Sequence, residues 1–94
     1  MTKPADDFHP YKIGGMYQIR SVTHIVTGRV VSVGPQEIVL VDAAWVADTG
    51  RYMNAVATGD YAEVEPYPDG ALVIVGRAAV VDSVTIPKLP RVQK

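Results

Sequence analysis

Leu72-Val73-Ile74-Val75-Gly76-Arg77-Ala78-Ala79-Val80-Val81 is the stretch on which the fold turns. Leu72 to Val75 and Val80-Val81 are apolar at consecutive positions, and a glycine with small residues links them, so two strands are expected, over 72–76 and 80–86. The wider composition agrees. The chain holds 16 Val and 6 Ile against 3 Leu, and β-branched side chains are stiff at χ1 and pack well on a pleated sheet. Strands apolar on both parities have two faces to bury, whereas an antiparallel sheet in a small domain normally turns one face to water.

Working back from that stretch, Pro66-Tyr67-Pro68-Asp69-Gly70 is a turn in which proline presets φ and glycine supplies positive φ. A brief strand is expected over 62–65. Residues 46–59 carry Asp48 or Thr49 as N-cap, apolar Tyr52, Met53 and Val56, and Gly59 as a stop, which predicts one or two helical turns. Residues 37–45 form a third strand centred on Ile38-Val39-Leu40-Val41, preceded by the breaker Gly34-Pro35. Residues 29–33 form the second strand, set off by a turn at Thr27-Gly28. Residues 16–26 form the first, and its apolar phase switches near Ser21, where a bulge or sharp bend is expected. The expected fold is all-β: a small, strongly bent five-stranded barrel with one short helix in an insertion. Residues 1–15, with two prolines and two glycines, read as an extended N-terminal arm, 16–86 as a single barrel domain, and 87–94 as a basic C-terminal tail.

At 94 residues, 48% hydrophobic and 20% charged, the chain is one domain at most. Such a chain buries about 60–65% of its unfolded surface, leaving packing or a partner subunit to supply stability that disulfides cannot. Cysteine is absent and the first ten residues are polar, which suits a soluble protein of a reducing compartment without a signal peptide or membrane span. The net charge of −1 argues against wrapping duplex nucleic acid. That charge averages unlike parts: +1 over 1–41, −5 over 42–82 and +3 over 83–94, an asymmetry suited to head-to-tail contact between identical subunits.

Thr27-Gly28-Arg29-Val30-Val31-Ser32-Val33, closed by Ile38-Val39-Leu40-Val41-Asp42-Ala43, resembles the first motif of the Sm-like family, and Val73-Ile74-Val75-Gly76-Arg77-Ala78-Ala79-Val80-Val81 resembles the second. The resemblance implies an Sm-like or SH3-like barrel and a closed ring in which the fourth strand of one subunit pairs with the fifth of the next. A second resemblance spans residues 42–52, Glu63-Val64-Glu65-Pro66-Tyr67-Pro68-Asp69-Gly70 and Val75-Gly76-Arg77, which are similar to short proteins of tailed bacteriophages and prophages. It implies a viral origin.

The expected function is accordingly non-enzymatic: a phage-encoded ring-forming structural protein, in the virion as a capsid or head/tail-associated component or in the host cytoplasm, with copies of itself and other phage structural proteins as partners. Trp45, Leu72, Ile74, Val80 and Val81 are the expected oligomer interface, since the lone tryptophan stands where a strand meets an irregular segment and the others sit on the doubly apolar strands. The alternative is single-stranded RNA binding, for which the resemblance implies Gln36 and Arg77, with Tyr67 as a stacking surface. The first turn reads Gly34-Pro35-Gln36 without asparagine, and Arg77 stands without a small polar partner. Arg51 and Arg77, the only basic residues in 42–82, are expected to pair with Asp48, Asp42 or Asp82. No catalytic residue, metal ligand or cofactor is expected. His9 and His24 lack ligand spacing, Ser21, Ser32 and Ser83 lack a nucleophile elbow, and Glu63 and Glu65 read as a solvated face.

Overall fold

The computed structural model describes residues 9–94, so the expected extended character of residues 1–8 lies outside the described residues. Six strands form one antiparallel sheet: β1 (Met16–Ser21), β2 (Ile25–Val33), β3 (Glu37–Asp48), β4 (Glu63–Pro66), β5 (Val73–Gly76) and β6 (Val80–Thr85). One helix, α1 (Tyr52–Thr58), lies between β3 and β4, and a single 3-10 turn (Arg77–Ala79) joins β5 to β6. The order is β4-β3-β2-β1-β6, with β5 on the first half of β3. The class is all-β, as expected; the brief strand expected over 62–65 joins the sheet as β4, bringing the five strands of the expected barrel to six, and the barrel is not closed. Among the described residues β5 and β6 make no ladder with each other, because the 3-10 turn carries the chain between them.

The first strand differs from expectation in an informative way. The reversal falls at Val22-Thr23-His24, where Ser21 N–H donates to the His24 carbonyl at 2.8 Å, and the chain then runs straight through Thr27-Gly28 as part of β2. Gly28 is no turn residue: a Cβ there would stand 2.9 Å from Leu40 Cβ, so the missing side chain lets β2 close on β3. The irregularity anticipated near Ser21 is present as a shift of register against β6 between Arg20 and Ser21.

β3 organises the rest. Its residues 37–40 pair with β5 and residues 44–48 with β4, and between them Asp42 takes a left-handed φ of 52°. Aspartate tolerates that conformation better than most residues. The kink changes which way the strand's side chains face. Ile38, Leu40 and Ala43 join Tyr17, Ile19, Val26 and Val30 in one core, whereas Ala44 and Val46 join Ala55, Tyr61 and Val64 in a second core under α1. Of the doubly apolar run 38–41, Ile38 and Leu40 are fully buried, each worth about 1.5–3 kcal/mol, whereas Val39 and Val41 are only partly buried and belong to neither core.

The helix lies inside the expected segment and ends, as expected, at Gly59, left-handed at φ 77°. Its N-cap is Arg51, without a side-chain cap, rather than Asp48 or Thr49. Asp48 instead accepts a hydrogen bond from Gly50 N–H at 2.8 Å, closing a turn before the helix. Gln18, fully buried on β1, ties the insertion to the sheet: its Nε2 donates to the Tyr52 hydroxyl at 2.9 Å and its Oε1 accepts from the Tyr61 hydroxyl at 3.0 Å. Burial, with the nearby Tyr52 phenol second, pushes the Tyr61 hydroxyl up to about 12.

The arm and tail are docked where they are described. Gly14 N–H donates to the Val30 carbonyl at 2.7 Å, Val30 N–H to the Gly15 carbonyl at 3.0 Å, and the Tyr11 hydroxyl meets Ser83 Oγ at 2.7 Å. The tail leaves β6 and straps across to β4, where Lys94 and Val64 exchange both backbone hydrogen bonds. α1 is too short to cross a membrane, and no helix among the described residues is long and apolar enough to do so.

Candidate functional site: two open edges and an aromatic cleft

The end strands β5 and β6 carry part of the apolar surface that remains open, alongside Ile13, Val22, Met53 and Val92 elsewhere among the described residues. Along β5, Val73 and Val75 turn inward against the main core, while Ile74 is 68% exposed and Leu72, just before the strand, 61%. On β6, Val81 is 60% exposed. Val80 behaves differently from its expected interface role: it packs against the chain's own core. β5 pairs only with β3 and β6 only with β1, so each keeps an outer edge without a ladder among the described residues. Unpaired backbone donors and acceptors flanked by outward Leu, Ile and Val are a template for strand addition.

Trp45 lies beside this region. It stands opposite Val26 and Glu65 in the β2-β3-β4 register and is 39% exposed. With His24, Glu65, Pro66 and Tyr67 it lines a shallow depression of about 290 Å³. That depression continues into a cleft of about 260 Å³, which reaches Val73, Ile74 and Ala79 on the other side of Trp45 and Tyr67. Trp45, Ile74 and the start of β5 therefore share one surface, while Val81 lies on β6. Val80 and Val81 flank a separate hollow of about 570 Å³ between β6 and Tyr11.

Two residues of the RNA alternative are in direct contact. Gln36 and Arg77 meet, since Arg77 N–H donates to the Gln36 carbonyl at 2.9 Å and the Arg77 guanidinium to the Gly34 carbonyl at 2.8 Å. This ties the 3-10 turn to the β2-β3 turn. Tyr67 lies with Trp45 in a cleft that Gly76 and Ala79, on either side of Arg77, also line. One of the acids expected to pair with Arg51 or Arg77 is engaged by another arginine. Asp82 takes both arms of Arg20, with Nε to Oδ1 at 2.8 Å, and this pairing holds its carboxyl below the usual carboxylate range.

Reasoning from sequence did not find the anchors of the tail. Lys88 Nζ lies 2.8 Å from Asp60, whose carboxyl it lowers, and the Arg91 guanidinium reaches the Ala43 carbonyl at 2.9 Å and Asp69 at 2.8 Å. The available signal was the +3 tail against the −5 middle, which pairs within the chain. Among the described residues no group of three His, Cys, Asp or Glu could hold a metal ion. No protein-family model, curated protein or solved structure matches the chain.

Proposed function

We propose that this chain is a non-enzymatic assembly protein that associates with copies of itself through the outer edges of β5 and β6, closing into a cyclic homo-oligomer. The observation that carries this reading is the pairing of open edges with outward apolar side chains: Leu72 and Ile74 on one edge, Val81 on the other. The two edges are different surfaces, so joining one to the other is heterologous and generates a ring when the rotation closes. Ring closure leaves no edge open to indiscriminate aggregation.

The resemblance to Sm-like proteins supports the same reading. β1, β2, β3, β5 and β6 correspond to the five strands it implies, and α1 with β4 to the insertion. The resemblance to phage proteins extends it to a virion component, associated with head or tail, or a protein of the host cytoplasm, with other phage structural proteins as further partners. Single-stranded RNA binding through Gln36, Tyr67 and Arg77 is favoured by no observation, the Arg77 guanidinium bracing the Gly34 carbonyl and its N–H the Gln36 carbonyl.

Ile74→Asp is the direct test. A charge in the middle of a buried strand contact is costly while the folded monomer, where Ile74 is exposed, tolerates it. The variant is expected to keep the parent's circular dichroism spectrum and sediment as a monomer. Unchanged assembly in Ile74→Asp overturns the reading.

A further inference from the structure

We propose that the depression between Trp45 and Tyr67 is a docking site for an arginine side chain carried by a basic segment of a partner protein. It is separate from the positions assigned to self-association: Ile74 lines the adjoining cleft and Val81 the hollow beside β6, so the ring contact does not use it.

Strand register builds the site. Trp45 and Glu65 stand directly opposite each other on β3 and β4, which places their Cβ atoms about 4.5–5.5 Å apart on one face. Tyr67 follows after Pro66, and its N–H donates to the Ala43 carbonyl at 2.9 Å, which holds the residue beside the strand. His24, at the β1–β2 reversal, completes the lining with Pro66. Trp45 and Tyr67 are each 39% exposed, and Glu65 is exposed between them. The volume, about 290 Å³, falls just below the roughly 300–1,000 Å³ of sites that hold drug-sized molecules, and suits one side chain.

The chemistry of the lining selects a cation. Indole and phenol rings present the negative end of a quadrupole on their faces, and Glu65 adds a full negative charge beside them. Among the described residues Glu65 enters none of the ion pairs, which are Arg20–Asp82, Lys88–Asp60 and Arg91–Asp69. Glu63 shares the parity of Glu65 on β4 and stands opposite Asp48, so the surroundings are acidic and disfavour a phosphate. Arg91, whose guanidinium reaches the Tyr67 carbonyl at 3.3 Å, is held by the Ala43 carbonyl and Asp69.

The fold shows the same combination filled elsewhere. Arg20 gives both arms to Asp82 and lies 5.6 Å from the centre of the Tyr52 ring. Trp45, Tyr67 and Glu65 offer the same two partners, a ring face and a carboxylate, and no arginine among the described residues lines the depression. A planar guanidinium stacks on a ring while its fork meets a carboxylate, which a lysine ammonium cannot do.

Trp45 is the only tryptophan, so its emission reports the site on the full chain. The probe is acetylated, amidated tetra-arginine, titrated at low salt into the parent, Glu65→Gln, Tyr67→Ala and Asp60→Asn. Asp60→Asn removes the same charge as Glu65→Gln from a position outside the depression. The expected result is a saturable shift of Trp45 emission in the parent and in Asp60→Asn, and binding about fivefold weaker in Glu65→Gln and in Tyr67→Ala, with the native mass unchanged. Equal losses in Glu65→Gln and Asp60→Asn overturn the proposal, because the peptide then follows the overall field. Absence of a saturable shift overturns it, as does a shift produced by octathymidylate in place of the peptide. Emission that follows the protein's own concentration and ignores the peptide means that a second copy covers Trp45, which overturns the proposal and leaves self-association standing.

Discussion

Two regions of the sheet, β4 with its insertion and the outer edges of β5 and β6, treat their apolar surface in opposite ways. At the β4 end, α1 covers the sheet with a second core, Gln18 and two tyrosines satisfy one another beneath it, and the tail fills the outer edge of the last strand. Along β5, which shares the free edge of β3 with β4, and along β6, at the far end of the sheet, none of the described residues covers Leu72, Ile74 or Val81, and the outer strand edges carry no ladder. The same residue types serve both regions. Whether an apolar strand residue is buried in the monomer depends on whether the chain has a spare element to lay over it. Here α1 lies over β4 and the second half of β3.

The contrast is broken most severely by Tyr61→Ala. Tyr61 is 2% exposed in the second core, so truncation costs about 3–5 kcal/mol, and it also strips Gln18 Oε1 of its donor. Thermal melting is expected to show a large loss of stability. A melting temperature within a few degrees of the parent would mean that the insertion does not hold the sheet.

Next comes alkaline pH. Because the Tyr61 phenol is raised to about 12 in the fold, the folded state holds its proton above the ordinary tyrosine range, where the unfolded chain loses it. Its contribution is complete below about pH 10 and declines as pH rises from there through about 12, the folded value. Denaturant titrations of parent and Tyr61→Phe across that range are expected to show a steeper decline in the parent. Parallel curves would contradict the burial of this hydroxyl.

A smaller effect, of opposite sign, is expected from Thr27→Val. Thr27 is fully buried and its Oγ1 meets no hydrogen-bond partner among the described residues. Valine keeps the shape and removes the orphan hydroxyl, so stability against denaturant should rise by about 1 kcal/mol. A fall would show that the hydroxyl is satisfied in solution.

How much was legible depends on where each element's determinants lie. The strands over Val73–Gly76 and Val80–Thr85 and the helix ending at Gly59 carry their signals in their own residues. Gly28 was misread because a glycine that permits a turn and one that admits Leu40 look alike in a sequence. The Asp42 kink has no local signature, yet it decides that Ala44 and Val46 face α1 rather than the main core. The exposed positions Leu72, Ile74 and Val81 stood out through their pattern. Val80 did too, but alternation along β6 turns it inward. The tail reads as a solvated basic run, and only the fold brings its partners Asp60 and Asp69 to one edge.

The central claim is that the open edges of β5 and β6 are covered by another copy. Native mass of the full chain, followed by light scattering from high concentration down to the low micromolar range, tests it most directly. The account predicts a single closed oligomer, a fixed multiple of the 10.1 kDa chain, that persists on dilution. A soluble monomer throughout that range would contradict it.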